Sequence, residues 1–266
     1  MFRKIASIFI SAAFGISLAA PAEDLLPQTK LSAAEIVEKN VAARGGLEAW
    51  RAVQTLSYTG NWQRPVVPFA VVPFLIEFAR PRKQRIELQF KDQTSVQVFD
   101  GAEGWRLRPL PNRHEVEPLT HEEIDAASVQ ADLDGPLVDY AAKGTKIELD
   151  SIEKVEGRDT YKVKLTLGSS KNLHVWIDSQ TFLETKIEGT PRQLNGVYHP
   201  VEIYFRDYRS VDGLQIPFLL ETRVQPVAEG TPFPVQKMVI DKVVVNPRLD
   251  PSIFSKAGIE LSSSAN

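Results

Sequence analysis

The side chains able to do chemistry are few in this chain and poorly spaced for it. It has four histidines, His114, His121, His174 and His199, and no cysteine. The missing thiols exclude a cysteine nucleophile, disulfides and Cys-ligated zinc. A helical zinc site needs a second histidine four residues after the first, and His121-Glu122-Glu123 lacks it. Asp132-Leu133-Asp134-Gly135 resembles a fragment of a calcium loop. The preceding ligand position holds Gln130 and the closing position holds Ala141, so the loop is incomplete. No G-x-S-x-G elbow, P-loop or dinucleotide fingerprint occurs. With 34 acidic residues, paired carboxylates discriminate nothing. A serine triad is recognised by geometry, so an unrecognised hydrolase stays open as the lesser alternative. The reading is of a protein that is not an enzyme, with no metal and no cofactor.

What stands out instead is apolar crowding. The stretch PVVPFAVVPFLIEF, Pro65 to Phe78, is apolar except for Glu77. Phe74, Ile76 and Phe78 share one parity, and Val71, Pro73 and Leu75 the other. The next segment adds Ile86, Leu88 and Phe90, with Trp62 and Trp105 at the borders. Two accounts fit: core packing beneath helices, or a surface or pocket for an apolar ligand. On the second, Trp62, Phe74, Ile76, Phe78, Ile86, Leu88, Phe90 and Trp105 are the candidate lining. Arg80, Arg82 and Arg85 in RPRKQR would then meet an anionic headgroup, unless they are solvated charges that block aggregation. Three prolines in Pro65–Pro73 suggest an edge strand or a flap.

These residues must be positioned by a sheet. From Gln54 the hydrophobic period is two, as in YKVKLTL, where Tyr161, Val163, Leu165 and Leu167 alternate with Lys162, Lys164 and Thr166. Extended segments are predicted at 55–62, 71–80, 84–90, 95–99, 104–108, 146–155, 161–167, 173–178, 182–188, 201–208, 214–224 and 235–245. Asp100-Gly101, Glu156-Gly157, Asn195-Gly196 and Asp212-Gly213 supply hairpin turns. Before the sheet, Ser32-Ala33-Ala34-Glu35 is a capping box opening a helix that Gly45-Gly46 closes, and LEAWRAV adds a short second turn. Residues 118–144 lack alternation. Thr120 with Glu123 can cap a helix there, and Asp134 or Gly135 can start another through Pro136 to Ala142, so one or two short helices are predicted between two runs of strands. The fold class is therefore mainly β with helices (α+β): one antiparallel sheet or barrel in one domain, residues 32–255, after a linker at 23–31 and before a C-terminal tail at 256–266.

The N-terminus reads as an export signal. Arg3 and Lys4 precede an apolar run, Ile5 to Ala20, too short to span a bilayer, and Ala20-Pro21-Ala22 offers a cleavage site. Cleavage after Ala19 fits as well. Without a cysteine to carry acyl groups, the exported chain is expected to be soluble and periplasmic. Its net charge of −3 becomes two units more acidic once residues 1–22 leave, which argues against a nucleic-acid partner.

The segments HVWIDSQTFLETKIEG, YFRDYRSVDGLQIPF and IDKVVVNPRLDPSIF follow in this order. Together with the capped helix ending in Gly-Gly, they resemble the LolA-like superfamily, the periplasmic outer-membrane lipoprotein carriers and lipoprotein-sorting proteins. The resemblance runs over most of residues 32–255. It implies a half-open antiparallel barrel round an apolar cavity, lidded by helices, that binds a lipid, acyl chain or lipoprotein without catalysis. A periplasmic or membrane protein partner, bound through sheet edges or the Pro65–Phe78 flap, is the alternative from another class.

Overall fold

The computed structural model describes residues 31–65, 70–91, 93–108, 115–194, 196–227 and 233–264. The expected export signal and the linker up to Lys30 lie outside the described residues, as does His114.

Among the described residues thirteen strands form one antiparallel sheet. They are β1 (Thr55–Gln63), β2 (Val71–Ala79), β3 (Lys83–Phe90), β4 (Gln93–Phe99), β5 (Gly104–Leu107), β6 (Val116–Pro118), β7 (Lys146–Val155), β8 (Arg158–Thr166), β9 (Asn172–Asp178), β10 (Glu184–Leu194), β11 (Val197–Val211), β12 (Leu214–Val224) and β13 (Gln236–Val245). The helices are α1 (Ala33–Ala43), α2 (Leu47–Ala52), α3 (His121–Gln130) and α4 (Lys256–Ser264). The order is β6-β5-β4-β3-β2-β1-β13-β12-β11-β10-β9-β8-β7, two meanders joined at β1 and β13, with β6 and β7 as open ends. Buried side chains from β1, β2, β8, β9, β12 and β13 belong to one core cluster with α1, so the sheet curls about that face.

Local chemistry explains the elements. Ser32 and Thr120 both form complete capping boxes, with Glu35 and Glu123. Glu156-Gly157 and Asp212-Gly213 have φ of 51° and 84°, and 50° and 83°. That left-handed pair closes two-residue hairpins between Val155 and Arg158 and between Val211 and Leu214. Asp178 folds the β9–β10 turn, its Oδ1 accepting from the N–H groups of Gln180 and Thr181 at 2.9 Å. Asn246 ties the two meanders together. Its Oδ1 accepts from Gln54 N at 2.7 Å, and its own N–H donates to Thr55 O at 2.9 Å. Its φ is 53°, a conformation asparagine tolerates and alanine resists. Asn246→Ala is therefore expected to destabilise the fold by about 1–2 kcal/mol, read as a lower urea midpoint at unchanged m-value.

The structure departs from the sequence expectations in four places. The segment from Pro136 to Ala142 is a series of turns, not a helix. Positive φ at Gly135, Asp139 and Gly144 breaks each turn, and Arg51 holds Asp139 at 2.7 Å. The short strand β6 is additional. Residues 256–264 are helix α4 rather than a tail; Ile259 is fully buried against Val96, Val98 and Leu107. Finally, the Pro65–Pro73 stretch runs from Val71 on into β2, an interior strand and not an edge, while residues 66–69 of the expected flap lie outside the described residues. Pro73 lies just past the last rung of the β2–β3 ladder, Phe74 with Leu88, so it meets the edge condition locally.

Candidate functional site

The pairing register assigns every strand residue to one of two faces. Leu56, Tyr58, Gly60 and Trp62 of β1 stand beside Phe78, Ile76, Phe74 and Val72 of β2. The same face continues through Ile86 and Leu88 of β3, and through Met238 and Ile240 of β13. It extends through Leu214, Ile216, Phe218 and Leu220 of β12, Ile203 and Phe205 of β11, Ile187 of β10 and Val175 of β9. The concave face is thus apolar across ten neighbouring strands, counting Val163 and Leu165 on β8 and Ile147 and Leu149 on β7.

One end of this trough is closed. Ile36, Val37 and Val41 of α1, Trp50, and Leu133, Leu137 and Val138 from the turns after α3 pack into it. At the other end, Trp62, Leu88, Ile187, Leu220 and Met238 are only partly buried. Gly60 shapes the floor between the two. A Cβ there would fall 2.1 Å from Val239 O and 2.9 Å from the Phe74 ring, so only glycine lets β1 bulge while Phe74 lies across it. Beyond the partly buried residues, Val71, Val197, Tyr198, Val227 and Val235 are exposed at the hairpin ends, with Val71 and Tyr198 on the convex parity.

The proposed lining residues divide. Trp62, Phe74, Ile76, Phe78, Ile86, Leu88 and Phe90 share the concave parity. Phe74 and Ile76 are buried in the core, while Trp62, Ile86, Leu88 and Phe90 are partly open. Trp105 pairs with Val98 on the convex face, where it packs against the cluster holding Ile259. It therefore does not line the trough. The three arginines are occupied by protein groups. Arg80 donates to Val53 O, Trp50 O and Asp134 Oδ2 at 2.7, 3.0 and 2.6 Å. Arg82 donates to Ser128 O at 2.6 Å. Arg85 is buried on the convex parity, bound to Glu87 and Ile253 O. These contacts commit all three to protein groups, Arg80 at the closed end of the trough and Arg85 on the opposite face. The strands of the second meander went unnoticed as lining, although the alternation Leu214, Ile216, Phe218, Leu220 was there to find them.

A charged cluster fastens the turns that close the trough. Asp134, 2% exposed in its side chain, binds Arg80 at 2.6 Å and Lys143 at 2.5 Å, and Lys143 also reaches Asp132 at 2.8 Å. Burial pushes the Asp132 carboxyl up to about 6, against which Lys143 acts. Burial acts on Asp134 too, but the hydrogen bond from Asp132 and the cations Lys143 and Arg80 outweigh it and hold Asp134 below its usual value. Because the folded value of Asp132 is raised, its contribution is fully present below pH 3.8 and is lost as pH rises through about 6. Asp132→Asn should therefore gain stability relative to the parent as pH goes from 4 to 7. Parallel thermal melts across that range check this; a constant difference would refute it. Among the described residues no group of histidines and acids is placed to hold a metal ion.

No protein-family profile and no curated protein sequence matches the chain. Solved structures do. A LolA superfamily protein from Nitrosomonas europaea superposes with a TM-score of 0.57 over 86% of this chain and 99% of its own, at 13% identity. The fold is LolA-like. A putative outer membrane lipoprotein-sorting protein domain from Vibrio parahaemolyticus gives the same TM-score and identity, covering 85% of this chain and 97% of its own. A DUF1329 family protein from Desulfovibrio piger follows at 0.53, with 13% identity over 85% and 98%. In this LolA-like chain, Asp178, Asp212-Gly213 and Asn246, the residues that carried the sequence resemblance, are turn and seam residues. They specify the fold. No helix among the described residues is long and apolar enough to cross a membrane.

Proposed function

We propose that this protein is a periplasmic carrier that binds the acyl chain of a lipid or lipoprotein in its concave trough, without catalysis. One observation carries the reading: an apolar face on ten strands, closed by α1 and the Leu133–Val138 turns at one end and partly open at the other. At the open end Trp62, Leu88, Ile187, Leu220 and Met238 stay only partly buried, and an apolar chain laid over them would remove their remaining surface from water. Burying a chain of roughly 14 carbons is worth ~11 kcal/mol gross at ~0.8 kcal/mol per CH₂, before association and ordering costs. The export signal read from residues 1–22 and the resemblance to lipoprotein-sorting proteins support the location and the ligand class.

The exposed rim, Val71, Val197, Tyr198, Val227 and Val235, favours a second reading, a module that binds a periplasmic or membrane protein. Native mass spectrometry of protein purified without detergent, followed by solvent extraction, separates the two. An adduct that extracts as lipid or acylated peptide is expected. A clean apo mass that takes up no added lipid or acyl peptide would sink the carrier and leave the partner-binding module.

A further inference from the structure

Two guanidinium groups stand at the open end of the trough without an acid. Arg64 follows the last residue of β1 and continues the parity of Trp62; its Cζ lies 4.8 Å from the Trp62 ring centroid. Its Nε is buried and makes no hydrogen bond. Arg192, on β10, pairs with His199 just past the bulge that follows Gly189, and its Nη1 donates to Gln236 Oε1 at 3.1 Å. Gln236 sits opposite Thr222, one concave rung beyond the Met238–Leu220 pair. The apolar floor therefore ends where these polar groups begin.

The two cations feel each other. Burial and the charge of Arg64 both depress Arg192, and no carboxylate opposes them. Most arginines elsewhere are paired, and Arg44, Arg51, Arg80, Arg206, Arg209 and Arg223 each hold a carboxylate, whereas Arg82 binds a carbonyl instead. Among the described residues Arg64 and Arg192 hold none. Two half-buried like charges beside an apolar floor are unfavourable alone and become favourable when one anion bridges them. Guanidinium forks suit a tetrahedral oxyanion in particular.

We propose that Arg64 and Arg192 together receive the anionic phosphate headgroup of an amphiphile whose acyl chain lies along the trough. This rests on the carrier reading above and adds a headgroup class to it. The orientation follows: headgroup at Arg64, chain running past Trp62 and Met238 toward Phe74 and the closed end.

The test is calorimetric titration of the full-length mature protein with dodecyl phosphate, dodecyl maltoside and inorganic phosphate, both amphiphiles below their micelle-forming concentrations. Dodecyl phosphate should bind about 10- to 100-fold more tightly than dodecyl maltoside, as expected for charge-assisted hydrogen bonds. The Arg64→Gln/Arg192→Gln variant should bind both amphiphiles like the neutral one, and Arg64→Lys/Arg192→Lys should keep most of the preference. Equal binding of the two amphiphiles by the parent overturns the headgroup site and leaves the carrier intact. Preference surviving in the Gln variant overturns it as well. Inorganic phosphate binding as tightly as dodecyl phosphate would mean a free-anion site instead. Binding of neither amphiphile would overturn the carrier reading and this inference with it.

Discussion

Arg80→Met should lower the unfolding free energy by about 3 kcal/mol, the lower end of the range for breaking a buried ion pair. The cause is what the substitution leaves behind. Asp134 has 2% of its side chain exposed and sits among groups that hold it ionised. Without Arg80 it keeps only Lys143 and Asp132; the Val53 carbonyl loses the Arg80 donor as well, and the Trp50 carbonyl is left with the Val53 N–H. For a chain of this size the loss is about 6–12 °C in melting temperature. Asp134→Asn in the Arg80→Met background removes the stranded charge and should recover part of the loss. The sum of the single effects should exceed the double effect by more than 1 kcal/mol. Additive single effects would show that the pair, despite its 2.6 Å contact, does not hold the trough's closed end together.

The second large effect concerns binding. Leu88→Asp combined with Leu220→Asp should reduce acyl-chain affinity at least about 100-fold while the protein still folds, because each adds an unpaired carboxylate to an apolar floor. These positions are chosen because both are only partly buried, so water reaches the new carboxylates in the empty protein. Phe74→Asp would be a poor test: Phe74 is 5% exposed and lies across Gly60, so its loss unfolds the sheet instead of emptying the trough. Titration of a fluorescent fatty acid, with circular dichroism to confirm folding, reads the result. Unchanged affinity in the folded double variant would move the binding site off the concave face.

How much of this could be read from the residues differed by element. Strands with clean alternation, such as Tyr161–Leu167, and caps such as Ser32 with Glu35, report local physics and emerged where expected. The edges of elements and their sidedness did not. Trp105 looked like a neighbour of the apolar stretch, yet the convex cluster that receives it exists only because Ile259 arrives from 154 positions further on. Arg80 and Arg85 looked like free surface charge because their partners, Asp134 and the Ile253 carbonyl, are distant in sequence. Arg64 and Arg192 gave no signal at all, since what sets them apart is a shared location, both beside Gln236 and neither beside an acid among the described residues. Single-sequence patterns carry periodicity well and long-range company poorly.

The order of the strands also bears on how the chain finds its structure. Within each meander, neighbouring strands are neighbours in sequence, and most pairs close through short turns. The seam between β1 and β13 is different: the Gln54–Asn246 contact spans 192 residues. Loop-closure entropy grows only by about 0.6 kcal/mol per doubling of length, but it must be met before the seam returns anything. Hairpins form in microseconds, so the two halves can assemble independently and the seam can close last. The loss caused by Asn246→Ala should then appear in the unfolding rate, with refolding little changed. Stopped-flow chevrons would show it, and a slowed folding arm would place the seam in the nucleus instead.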